Sequence, residues 1–174
     1  MGDDPDRRRF LQVAGCCAVG GGAALAVGIP AVRLLVDPAG KQIVTTPTDP
    51  LDLGPVSRFT VGAPPRRVDI IAPVVRDAWT AASDVVLGAA WIRRLDETKV
   101  EAFSAVCPHL GCAIGWEGDG YLCPCHDSRF SATGEKQTGP SERGLDPLPV
   151  EIVGDRLRLT WVRYKLGQTS REPA

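Results

Sequence analysis

Cys107-Pro108-His109-Leu110-Gly111-Cys112 and Cys123-Pro124-Cys125-His126-Asp127-Ser128 are the two stretches that decide how this chain is read. Each offers one cysteine and one histidine at close spacing, Cys-x-His in the first box and Cys-x-x-His in the second. Each also carries a further cysteine. The chain has six cysteines and two histidines, and both histidines fall in these boxes. Thiolate and imidazole together are the donors of a transition-metal site. The plainest candidate is a Cys2His2 zinc site. Zinc sites, however, usually pair cysteine with cysteine and histidine with histidine. Here each pair is mixed, and Cys112 and Cys125 are left over in register.

Outward from the boxes the chain reads as short strands. Arg67–Ile71, Ala90–Leu95 and Val100–Val106 alternate or are rich in β-branched residues, and Val150–Val153 and Arg156–Val162 flank Gly154-Asp155, a hairpin signal. With 174 residues there is room for one small domain and an appendage. Aromatics make up only 6%, while glycine (19) and proline (15) are abundant, which suits loops and strands over a helix bundle. A net charge of -1 gives no reason to expect a nucleic acid as partner. The expected fold class is all-β: a small antiparallel domain carrying its metal site on loops, behind one N-terminal transmembrane helix.

Two histidines and two cysteines also describe a [2Fe–2S] centre in which imidazoles replace thiolates on one iron, which raises the reduction potential. The boxes resemble those of the Rieske family. That resemblance runs from about Ala90 to the C-terminus. It implies one [2Fe–2S] cluster, with Cys107 and Cys123 on one iron and His109 and His126 on the other. It implies a disulfide between Cys112 and Cys125, Leu110 at the cluster tip, and a third loop at Gly139-Pro140 covering the cluster. Ser128 matches the serine that hydrogen-bonds a cluster sulfur. Three positions depart from the family pattern. Asp127 stands where glycine is usual, Phe130 where a tyrosine hydroxyl is usual, and Glu142 where a second proline is expected. Asp127 and Phe130 are each expected to lower the potential, and Asp127 to favour protonation of His126. That tuning would suit a low-potential quinol such as menaquinol.

Upstream, Asp6-Arg7-Arg8-Arg9-Phe10-Leu11-Gln12 resembles a twin-arginine export signal. The apolar run that follows, Phe10 to Val32, is about 23 residues, enough to cross a bilayer. Gly20, Gly21, Gly22 and Gly28 weaken it, and Pro30 should bend it. A cleaved signal ending near Ala24-Leu25-Ala26 and a lipobox at Val13-Ala14-Gly15-Cys16 are the competing readings. The first is disfavoured because the apolar run continues past it, the second because that run lies after the cysteine. The expected organisation is signal and anchor over 1–36, a flexible Pro/Gly-rich tether over 37–58, and the Rieske domain over 59–174. Arg7–Arg9 should stay inside, placing the domain on the outer face of a bacterial cytoplasmic membrane.

The resemblance implies an electron-transfer subunit, a component of a quinol–cytochrome c oxidoreductase and not a catalyst alone. His126 would contact quinol and take up an electron and a proton. The implied partners are a cytochrome b-type membrane subunit, a c-type cytochrome and quinol. The alternative is the Rieske small subunit of a periplasmic molybdenum oxidase such as arsenite oxidase.

Overall fold

The structure is a computed structural model that describes residues 5–37, 39, 43 and 46–174. Helix α1 spans Pro5–Val36, with Pro30 inside it and Arg33 in its last turn. Its stretch Asp6–Val36 has a mean hydropathy of 1.8, and none of the apolar window is buried against protein. A helix that apolar and that exposed is long enough and greasy enough to cross a membrane. Part of the expected tether, residues 38, 40–42, 44 and 45, lies outside the described residues.

The remainder is built of ten strands in three antiparallel sheets. The first sheet has the order β1 (Leu51–Pro55), β10 (Arg156–Leu159), β9 (Val150–Val153). The second is β2 (Arg66–Arg76), β3 (Ala81–Arg94), β4 (Val100–Ser104). The third is β5 (Gly115–Glu117), β6 (Gly120–Cys123), β7 (Ser128–Ser131), β8 (Lys136–Thr138). Leu51, Leu53, Ile70, Ile92, Leu157, Leu159 and Trp161 form one buried core between the first two sheets. Phe103, Cys107, Ile114, Tyr121, Cys123, Phe130 and Leu145 form a second core. Phe103 bridges to Pro147, and the Ser104 amide donates to Asp146 O at 2.8 Å.

Strand β1 corrects the expected tether boundary. Leu51 pairs with Leu159 and Asp52 with Arg158, so the sheet begins inside the span read as 37–58. Leu51 and Leu53 point inward, and burying each is worth about 1.5–3 kcal/mol. Pro50, Gly54 and Pro55 gave the segment a loop-like composition. Gly54, at φ 98°, accommodates the register shift between Asp52 and Pro55 that lets so punctuated a segment pair at all. Other boundaries move too. β3 starts at Ala81 although Asp84 and Gly88 break its pattern, and β10 ends at Leu159, before Val162. The Gly154-Asp155 hairpin is where the sequence placed it, with Gly154 at φ 64°.

Candidate metal centre

The first box is a loop closed on itself after β4. The Cys107 amide donates to Cys112 O at 2.8 Å, and the Gly111 amide donates to Cys107 O at 2.9 Å. Gly111 sits at φ 83°, a conformation that excludes most side chains. The second box is the connection between β6 and β7. Cys123 and Ser128 are directly paired across the ladder, leaving Pro124-Cys125-His126-Asp127 as the loop. Asp127 closes it at φ 53°, a left-handed position that Asp tolerates better than most residues. This is the physical reason glycine suits that site.

These two loops bring the donors together. Cys107 and Cys123 are both 1% exposed and free of any disulfide. Burial pushes the Cys107 thiol up to about 11, and neighbouring Cys123 pushes the same way. Backbone amides of His109 and Leu110 hydrogen-bond that sulfur and pull in the opposite direction, so a thiolate has donors waiting for it. The imidazoles of His109 and His126 stand edge to face, with ring centroids 5.0 Å apart and an interplanar angle of 81°. His126 is exposed and His109 half-buried. The sulfurs of Cys112, Cys123 and Cys125 lie within 4.8 Å of one another, yet Cys112 and Cys125 are joined as a disulfide and have no thiolate to give a metal. Two buried free thiols and two imidazoles in edge-to-face contact are residue types that suit a mixed Cys/His iron site.

Residues 75–151 match the family described as the Rieske [2Fe-2S] domain. The menaquinol:cytochrome c reductase iron-sulfur subunit of Geobacillus thermodenitrificans is 30% identical over 159 residues, covering 88% of this chain and 89% of its own length. The chain belongs to the Rieske family. The cytochrome b6-f complex iron-sulfur subunit of Chlorobaculum thiosulfatiphilum is 32% identical over 90% of this Rieske chain and 76% of its own. The ubiquinol-cytochrome c reductase iron-sulfur subunit of Bradyrhizobium diazoefficiens is 30% identical over 88% of this chain and 93% of its own. The Rieske cofactor is a [2Fe–2S] cluster, and the buried, unbridged Cys107 and Cys123 fit it.

Around the Rieske site the departures from family pattern take definite places. Phe130 is fully buried in the core that holds Cys107 and Cys123. The nearest tyrosine by pairing is Tyr121, opposite Phe130 across the ladder. Its ring packs edge-on against Trp91, Phe103 and Trp116, and burial pushes its hydroxyl up to about 12. The Asp127 carboxylate is 76% exposed and lies 3.4 Å from the Arg129 guanidinium. Leu110 is 63% exposed. Pro140 is exposed on the third loop.

Sequence reasoning missed how that third loop is held. Ser128 Oγ accepts a hydrogen bond from the Ser141 amide at 3.2 Å. Ser141 Oγ donates to Arg143 O at 2.8 Å. Arg143 is buried, and its Nε and Nη2 donate to the two oxygens of buried Asp146 at 2.7 and 2.8 Å. The Gly139-Pro140 motif was the only sequence signal pointing here. Nothing in the pattern marked Asp146, or the Lys165 and Gln168 carbonyls of the C-terminal segment, as partners of Arg143.

Proposed function

We propose that this chain is the electron-transfer subunit of a quinol–cytochrome c reductase, accepting an electron and a proton from quinol and passing the electron to a c-type cytochrome. The observation that carries it is the edge-to-face pair of half-buried His109 and exposed His126, on the same two loops as buried, unbridged Cys107 and Cys123. Cys107 and Cys123 would hold one iron, and His109 and His126 the other. When bound, the cluster supplies a one-electron redox centre of raised potential. His126, exposed, accepts a hydrogen bond from a quinol hydroxyl on its free ring nitrogen and takes the proton there. Leu110 offers an apolar contact to the mouth of the quinol pocket in a cytochrome b-type membrane subunit. The Cys112–Cys125 disulfide ties the two loops, so both histidines are held at one surface.

Helix α1 anchors the chain in the membrane, with Arg7–Arg9 on the cytoplasmic side and the β domain outside. Arg7-Arg8-Arg9-Phe10-Leu11 serves as a twin-arginine signal, which suits a domain exported already folded around its cofactor. The tether is the span before Leu51, along which the domain would move between the quinol site and the cytochrome. The menaquinol, ubiquinol and b6-f relatives support this reading over a molybdenum oxidase.

Purifying the native assembly through a tag on this chain tests the reading. A haem b subunit should co-purify, quinol should reduce cytochrome c, and the chain should hold two irons with the rhombic paramagnetic signal of a reduced Rieske centre. Co-purification with a molybdopterin subunit and no haem b would sink it.

A further inference from the structure

We propose that Arg143 is a positioning residue that sets the potential of the cluster by holding the hydroxyl of Ser128 in its donating orientation. The inference rests on the Rieske cluster and not on the quinol reading, because it is read out on the chain alone.

Ser128 is fully buried. Its Oγ accepts the Ser141 amide, so the lone pair engaged by that N–H is fixed and the hydroxyl hydrogen must point elsewhere. A hydroxyl in that state is a committed donor, and hydrogen bonds to cluster sulfurs raise the potential. The third loop is pressed onto this serine: a Cβ on Gly139 would lie within 2.7 Å of Ser128 Oγ. What keeps Ser141 in place is therefore what keeps Ser128 donating.

Arg143 does that from two directions. Its carbonyl accepts the Ser141 hydroxyl. Its guanidinium, in the buried ion pair with Asp146, donates from Nη2 to Lys165 O at 2.8 Å and from Nη1 to Gln168 O. Those carbonyls belong to a C-terminal strap that folds back on itself: the Lys165 amide donates to Glu172 O and the Ala174 amide to Arg163 O. The strap in turn donates from Gly167 N to Pro108 O at 2.9 Å, inside the first box. One side chain thus fixes the third loop to a segment that is itself fixed to the ligand loops. The loop lacks the expected proline at Glu142, whose rigid backbone would have limited its motion. Arg143 supplies that constraint through hydrogen bonds instead. Lysine cannot replace it, since a single ammonium cannot reach a carboxylate fork and two separate carbonyls with a planar donor set.

The experiment measures the midpoint potential of the full chain in detergent, by film voltammetry, for Arg143→Lys, Ser128→Ala and the two combined. Arg143→Lys keeps a cation against Asp146. As a second route, Arg143→Met with Asp146→Leu removes both buried charges and leaves neither unpaired. Arg143→Lys should shift the potential downward, in the direction of Ser128→Ala, and should add nothing in the Ser128→Ala background. Exchange of the Ser141 amide should quicken at least tenfold. An unchanged potential in both the lysine variant and the charge-free pair overturns the proposal. So does an equal shift with and without Ser128, which would mean that Arg143 does not act through that hydroxyl. If both routes abolish iron uptake while Ser128→Ala loads normally, the role is assembly of the loops, and the proposal also fails.

Discussion

The Asp127 carboxylate lies 3.4 Å from the guanidinium of Arg129, two residues along the chain and on the strand that leaves the second ligand box. A carboxylate so placed next to a ligand histidine looks, in the sequence, like a direct brake on reduction. Paired and solvated, it loses most of that effect, because exposed charges are screened over about 8 Å at physiological salt. Asp127→Gly should therefore leave the potential nearly unchanged at that ionic strength. Glycine also adopts the left-handed backbone freely, so stability should hold within about 1 kcal/mol. Voltammetry and thermal melts check both points. A clear upward shift would restore a direct charge effect on the site.

Phe130→Tyr carries the opposite expectation. The ring is fully buried in the core that contains Cys107 and Cys123. If the added hydroxyl reaches one of their sulfurs, the new hydrogen bond should raise the potential. Overpacking should cost about 1–3 kcal/mol if the hydroxyl finds no room. A lower melting temperature with an unmoved potential would show that the hydroxyl never reaches the sulfur.

The Cys112–Cys125 bridge spans a sequence separation of 13. Closing a loop of that size stabilises the folded state by about 3 kcal/mol on chain-entropy grounds. Cys112→Ala with Cys125→Ala should lower stability by about that amount and speed loss of the cluster to a chelator. Cys16→Ser and Cys17→Ser, exposed on the apolar helix, should do neither. Equal chelator sensitivity in bridged and unbridged proteins would contradict the role given to the bond.

Asp52 and Arg156 make a pH-dependent tie between β1 and β10. Arg156 Nε and Nη2 donate to the carboxylate at distances of 2.7 to 3.1 Å, and that hydrogen bond, with the Gly54 amide, holds the Asp52 pKa below 3.8. A depressed folded-state pKa stabilises above the unfolded value and loses that contribution as pH falls through the folded one. Asp52→Asn should thus melt lower than the wild type at pH 7, and the two should converge as pH falls through the depressed folded-state value. The gap should be small, since the pair is solvent-exposed. A constant difference down to low pH would assign the effect to packing, not charge.

The family was legible because chemistry dictates the residue types of the two boxes: each sets a histidine beside cysteines at close spacing. Val150–Val153 and its hairpin were legible because β-branched residues flank a turn pair. Strand β1 was not, since Pro50 and Gly54 speak for a loop, while Leu51 and Leu53 are buried in a core drawn from distant segments and paired to a strand late in the chain. β5 to β8 are three or four residues each, too short for a period to emerge. The side-chain direction of Asp127 was equally hidden, because Arg129 faces it only once Ser128 enters the ladder. Arg143 and its strap are long-range by nature, and no local pattern announces a guanidinium seeking carbonyls more than twenty residues away.

The pairing of β1 with β10 sets an order on biosynthesis. Asp52 and Arg156, whose side chains hydrogen-bond between those two strands, are 104 residues apart. The first strand leaves the ribosome long before its partner exists, and the strap that braces the first box follows later still. No nascent fragment ending before β10 contains a closed first sheet. A chain cut within the strap should therefore hold its third loop and first box poorly, however intact the two cysteine–histidine boxes are.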